Sequence, residues 1–339
     1  MWLCFGAILC GGAITDVAAE ISWELGNGTL QMKVERQGAM ISDLRLVAGG
    51  THWLSPMNEQ APAEPFGHFL CFDRWGPVTA AEAATGFSFH GEAARVPWAV
   101  LSPPTPRQLE IKTHVGAGFQ IRTAVQNPTS ESRPYNVVEH ITLADTWADA
   151  SIRIITNAGQ GILHEKGEPV RGTEVEWPWV TEDDQRWDLR RVSARRGRFI
   201  ASLRFPAETQ WGYVALQDPR TGALLAYVWP TEAMPWLNLY WFANGERVVK
   251  RAIEPGTTGL HRPMAELLTT SRLLDLPVVH WLAPAEKRSF VVAGGLALGP
   301  SDFGKLRDLQ VTKLGWAAVD ETGQEVLLVP YSMDLFPPP

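Results

Sequence analysis

Leu30-Gln31-Met32-Lys33-Val34-Glu35 alternates apolar and polar side chains without a break, and the chain enters it through Gly26-Asn27-Gly28. A period of two puts Leu30, Met32 and Val34 on one face of an extended strand and Gln31, Lys33 and Glu35 on the other. The same rhythm returns at Phe119, Ile121 and Val125 against Gln120, Arg122 and Gln126, and again at Phe199, Ala201, Leu203 and Phe205. Turn chemistry bounds these runs, as at Asn127-Pro128 and Asp218-Pro219-Arg220-Thr221-Gly222. With 30 glycines and 25 prolines scattered along the chain, long helices are excluded. One segment, Pro263 to Leu276, could hold a helix of about two or three turns. No fixed-period repeat and no Ser/Gly linker divides the sequence. The expected architecture is a single all-β domain, a large antiparallel β-sandwich with few short helices.

The first 19 residues have a different character. An apolar run from Trp2 to Leu9 leads through Gly11-Gly12-Ala13-Ile14 to a small-residue exit at Val17-Ala18-Ala19, which reads as a signal peptide. It is atypical, because no Lys or Arg precedes the apolar run. The run is also shorter than the roughly 20 residues that span a bilayer. The expectation is a secreted or periplasmic protein whose mature domain is residues 20–339, with no membrane contact after leader removal. Of the three cysteines, Cys4 and Cys10 leave with the leader. Cys71 alone remains, so no intramolecular disulfide can form and the core must hold the fold. A net charge of −7 argues against nucleic acid as a partner. The basic cluster Arg190, Arg191, Arg195, Arg196 and Arg198 reads as a solvated hairpin edge.

Four segments carry candidate chemistry. Gly86-Phe-Ser-Phe-His90-Gly91, running on to Pro97-Trp98, sets a histidine between aromatic residues and a glycine. Phe72-Asp73-Arg74-Trp75-Gly76-Pro77 offers a guanidinium with five fixed donors, suited to a polyol or to an ion pair with Asp73. Val137-Val138-Glu139-His140-Ile141-Thr142-Leu143 reads as a strand with His140 on the face of Val138 and Thr142, and Glu139 on the face of Val137 and Ile141. His140 is then either a hydrogen-bonded core histidine or a catalytic one. Val249 to Gly256 ends an apolar strand with Glu254 at a Pro-Gly turn, either an exposed turn residue or a carboxylate presented at a sheet rim.

In this order the segments resemble those of the aldose 1-epimerases, the galactose mutarotase-like superfamily. The resemblance covers roughly residues 21–298. It includes Trp281-Leu-Ala-Pro-Ala285-Glu286, similar to the family's Leu-x-Pro-Gly-Glu turn with Ala285 in place of glycine. It implies a carbohydrate-binding β-supersandwich with His140 as catalytic acid, Glu254 as catalytic base, and Arg74 and His90 as substrate-binding residues. It implies no cofactor and no metal. Two departures stand out. The family places an acidic sugar-binding residue between the catalytic pair, and here Glu174, Glu176 and Asp183 occupy that interval without a motif. Sugar-phosphate relatives carry an arginine four residues after the motif histidine, where this chain has Ala94 with Arg95 one place later.

The implied function is interconversion of the α and β anomers of a free or oligosaccharide-terminal aldose by acid/base ring opening. The alternative is a non-catalytic periplasmic carbohydrate-binding protein of the same fold, as monomer or homodimer, since fold does not dictate function. Fifteen tryptophans, among them Trp177, Trp179, Trp229, Trp236 and Trp241, serve either as core fillers or as sugar-stacking platforms. The remaining histidines show no metal spacing. Thr181-Glu182-Asp183-Asp184 lacks the ligand periodicity of a calcium loop and reads as a solvated acidic turn.

Overall fold

The computed structural model describes residues 5–6, 21–26, 28–56, 64–100, 116–149, 151–165, 168–182, 185–190, 197–244, 247–299, 303–312 and 315–330. The expected leader lies outside these apart from Phe5–Gly6, which pairs with Ala99–Val100. Asp183, Asp184 and Arg191 to Arg196 lie outside them as well.

The protein is an all-β sandwich. Its larger layer is a 12-stranded sheet running from Gln185–Asp188 at one edge to Ser22–Gly26 at the other. At its centre stand Gly197–Arg204, Trp236–Asn244, Arg247–Gly256, Val137–Thr142 and His68–Phe72, in that order. The smaller layer has five strands: Arg153–Thr156, Trp211–Gln217, Ala223–Pro230, Lys287–Leu298 and Gly116–Gln126. Every pairing within both sheets is antiparallel. The alternation over Leu30–Glu35 does what its period demands: Leu30, Met32 and Val34 are buried and their neighbours only partly so.

The core between the layers joins Leu30, Val34, Leu70, Val137, Ile141, Leu203 and Ile253 to Phe119, Leu225, Tyr227 and Val292. Trp229 is fully buried in this cluster and Trp241 nearly so, while Trp236 is fully buried in another core under Leu260 and Leu267. Those three tryptophans fill cores. A third layer, the meander Leu306–Thr312, Gly315–Asp320 and Glu325–Pro330, closes the outer face of the five-stranded sheet with Leu306, Leu309, Trp316 and Ala318.

The segment 263–276 holds the expected helix, of about two turns, in its first half. Met264–Thr270 is helical, but Ser271 takes φ 55° and Arg272–Leu273 folds back on Leu276–Pro277 as a small hairpin. A left-handed residue ends a right-handed helix, so the helix stops at seven residues.

The centre of the large sheet is buried on both faces. Phe69, Cys71 and Val138 on the outer face pack with Trp75, Met40, Ala94 and Ile200. This outer face carries the candidate site.

Candidate active site

Register builds the site. Phe69 pairs with His140, Ile253 with Ile141, Gly256 with Val138, and Asn238 with Glu254. The pairing of the 137–142 and 247–256 strands therefore sets Glu254 opposite His140 on the same face, because residues opposite one another share a face. The expected facing of the 137–142 strand is what the structure has. Glu139 points the other way into the sandwich core, where Thr123 Oγ1 donates to it at 2.7 Å and His68 Nε2 lies 3.2 Å away.

His140 Nε2 lies 3.1 Å from Glu254 Oε1. Thr142 Oγ1 holds the other ring nitrogen, Nδ1, at 3.1 Å, and Phe69 stacks on the imidazole face with centroids 4.5 Å apart. Glu254 is 2% exposed, and its second oxygen, Oε2, has no hydrogen-bond partner. A buried carboxylate oxygen without a donor is costly, so it is a place where a ligand hydroxyl is favoured. Asn238 Nδ2 donates to the backbone carbonyls of Glu254 and Thr258 and pins the turn that aims the carboxylate.

His90 arrives from the long connection beyond Phe72. It sits at φ 63° and Gly91 at φ 81°. A Cβ on Gly91 would lie 2.2 Å from the carbonyl oxygen of Phe72, which explains the glycine after the histidine. The left-handed histidine costs about 1–2 kcal/mol. That distortion turns the imidazole edge-on to His140, with centroids 4.8 Å apart, and against Phe89 at 4.0 Å. Burial, then the neighbouring basic side chains of His140, His261, Arg74 and Arg95, hold its pKa well below the ordinary 6.5. It is a neutral imidazole at physiological pH.

His90, His140 and Glu254 line one cleft of about 740 Å³, walled by Phe66, Phe69, Trp75, Phe89, Tyr240 and Phe242. Aromatic walls with a few polar groups at the floor suit a sugar, which has apolar C–H faces and a hydroxyl rim. Among the described residues, Trp75, not one of the clustered tryptophans, is the indole that lines this cleft.

Arg74 is placed differently from its expected role. The residue is 4% exposed and does not line the cleft. Nη1 donates to the carbonyls of Trp75 and Arg262 at 2.5 and 3.1 Å, and Nη2 donates to that of Pro77. Nε lies 3.3 Å from Glu82, a residue that also closes the capping box of the Ala80–Ala84 helix with Thr79. Asp73, the other ion-pair candidate, pairs with Arg133 instead. Arg74 thus ties together the loop that carries Trp75 and Gly76.

Sequence reasoning missed several lining residues. His164, paired across the sheet with Ile200, reaches the cleft with Nε2 buried and unpartnered, and burial lowers its pKa to about 3. Asp145 and Glu64 line the rim, as do Arg198 and Lys250 on either side of Phe242 in one cross-strand row. Arg198 therefore belongs to the cleft and not to a remote basic edge. Glu174 and Glu176 are exposed and outside the lining. No local motif marks these positions, because what unites them is the lateral order of strands. Among the described residues no group of three or more His, Cys, Asp or Glu is arranged to hold a metal ion.

Neither a family model nor a curated protein matches the chain by sequence. Solved structures do match its fold. A galactose mutarotase-related enzyme from Lactobacillus acidophilus superposes with a TM-score of 0.52 at 11% identity, over 81% of this chain and 97% of that one. A galactose mutarotase-like protein from Lactobacillus casei gives 0.52 at 12%, over 81% and 99%. A candidate aldose 1-epimerase from Escherichia coli K12 gives 0.53 at 13%, over 82% and 99%. The chain therefore shares the β-sandwich fold of these galactose mutarotase-like proteins.

Proposed function

We propose that the protein is an aldose 1-epimerase-like isomerase acting on a free or oligosaccharide-terminal aldose. The observation that carries this reading is the His140–Glu254 pair, 3.1 Å apart at the floor of an aromatic cleft, with Glu254 Oε2 lacking a donor. The two oxygens of a cyclic hemiacetal are bonded to one carbon, so two groups this close can face both at once. Glu254 takes the proton of the anomeric hydroxyl while His140 Nε2 gives a proton to the ring oxygen, and the bond from C1 to the ring oxygen breaks. The open aldehyde turns about C1–C2. Reclosure on the opposite face returns both protons and inverts C1. General acid–base groups of this kind contribute about 10²–10⁴-fold. His90 holds a substrate hydroxyl and so limits the orientations of the ring.

Polarimetry of freshly dissolved α-glucose and α-galactose, extended over a panel of aldoses and oligosaccharides, tests the reading. Acceleration over buffer supports it. Binding without acceleration anywhere in the panel would instead favour the carbohydrate-binding alternative. The reading includes export, argued from Met1 to Ala19: cell fractionation should find a mature protein whose first residue is Glu20.

A further inference from the structure

We propose that Cys71 sets the tautomer of His90: its thiol and the Gly76 amide both point at Nδ1 and hold the ring proton on Nε2. Cys71 Sγ lies 3.2 Å from His90 Nδ1, and the Gly76 N–H donates to the same nitrogen at 3.3 Å. An amide N–H can only donate, so the Gly76 contact favours an acceptor at Nδ1, but at 3.3 Å it is a long hydrogen bond that does not by itself fix the tautomer. A neutral imidazole that accepts at Nδ1 carries its hydrogen on Nε2. The thiol is the second donor to the same lone pair. It is 1% exposed, and burial, then the charges of Glu254 and Glu139, push its pKa well above the usual thiol value, so sulfur keeps its hydrogen and donates.

The geometry around the ring leaves little freedom. Phe69 and Phe89 contact the imidazole edge-to-face, with centroids at 5.3 and 4.0 Å. Gly76 takes φ 86°, a conformation that brings its amide to the ring and suits glycine. His90 is thereby an obligate hydrogen-bond donor at Nε2. It can hold a lone pair of a substrate oxygen, but it cannot remove a proton from one. Proton removal is left to Glu254. The same logic gives Cys71, the one cysteine among the described residues, a task that its solitary sequence position does not suggest.

The tautomer stands independently of the sugar-isomerase reading, and its consequence for substrate binding rests on that reading. Long-range ¹H–¹⁵N correlation on histidine-labelled full-length protein reads the tautomer without any ligand, with the His90 signal assigned by its loss in His90→Gln. Between pH 6 and 8 the expected result is a neutral ring protonated on Nε2 in the native protein and in Cys71→Ser, which keeps a donor. A ring protonated on Nδ1, or an imidazolium, would overturn the proposal. In Cys71→Val, of similar shape but without a donor, the expected result is exchange broadening or an Nδ1–H population. An unchanged sharp Nε2–H signal in that variant would show that Gly76 suffices and would refute the role of the thiol.

For whichever sugar is turned over, KM in Cys71→Val should rise about 2- to 10-fold, the size of one neutral hydrogen bond, with kcat little changed and Cys71→Ser restoring KM. If no sugar is turned over while the tautomer is as stated, the isomerase reading fails and the clamp stands. If mutarotation is found and the tautomer is wrong, the reverse holds.

Discussion

His140 and Glu254 show how much chemistry depends on single atoms. Under the proposed mechanism, Glu254→Gln removes the base but keeps the shape, and His140→Asn removes the proton donor. Each should cut the acceleration of mutarotation by about 10²-fold or more, with the circular dichroism spectrum unchanged. A rate equal to that of the native protein in either variant would remove that residue from the mechanism. Gly91→Ala probes the backbone instead. The added methyl would lie 2.2 Å from the Phe72 carbonyl oxygen at a φ of 81°, so stability should fall by more than about 1 kcal/mol in urea titration. The same change should weaken sugar binding, since His90 cannot keep its edge-on position if Gly91 moves. At this scale the sequence was only partly legible. The His-Gly pair, the histidine on its strand and the glutamate before Pro-Gly can all be picked out by type and neighbours. Whether Arg74 meets solvent, ligand or protein cannot be, because its partners include the carbonyl of Arg262, far along the chain.

Elements carry the next level of organisation. Alternation within a strand tells which residues share a face, and the 137–142 strand shows this cleanly: His140 looks into the cleft while Glu139 is buried against Thr123 and His68. The five-stranded sheet alternates too, but its outer face is apolar: Tyr213, Ala215, Leu224, Ala226 and Val228 would meet water without the C-terminal meander. Trp316, on the meander, is fully buried against that face. Trp316→Ala should therefore cost about 3–5 kcal/mol, measured as a lowered urea midpoint, although the residue is remote from the cleft. A change below about 0.5 kcal/mol would mean that the meander adds little to the stability of the sandwich. The helix at 264–270 marks the limit of pattern reading, since its end is decided by one left-handed serine and the hairpin that follows.

The whole molecule responds to pH through groups that the fold has taken from water. Burial lowers the pKa of His90, of His164 to about 3, and of His280, from the ordinary 6.5. Below pH 6.5 the unfolded chain binds protons at these positions and the folded chain resists them, so stability falls as pH falls. Asp73 works in the opposite sense, because burial raises its pKa from 3.8 to about 6 and the fold takes up its proton first. One carboxyl stands against three histidines. The urea midpoint should therefore be lower at pH 5 than at pH 7.5, and an equal or higher midpoint at pH 5 would contradict the balance drawn here.

Strand periodicity, turn chemistry and the scarcity of helix-forming stretches determined that this chain is an antiparallel β-sandwich, and which face of each strand carries which side chain. These are local properties, set by the extended backbone within a few residues. The tertiary structure alone decided that Glu254 stands 3.1 Å from His140, that Arg74 spends its donors on backbone carbonyls, and that His164, Arg198 and Lys250 reach the same cleft. It also brought Cys71 and Gly76 to one nitrogen of His90. Such relations depend on strand order and register between segments remote in sequence, and the period of two is the same for every register that keeps the faces matched.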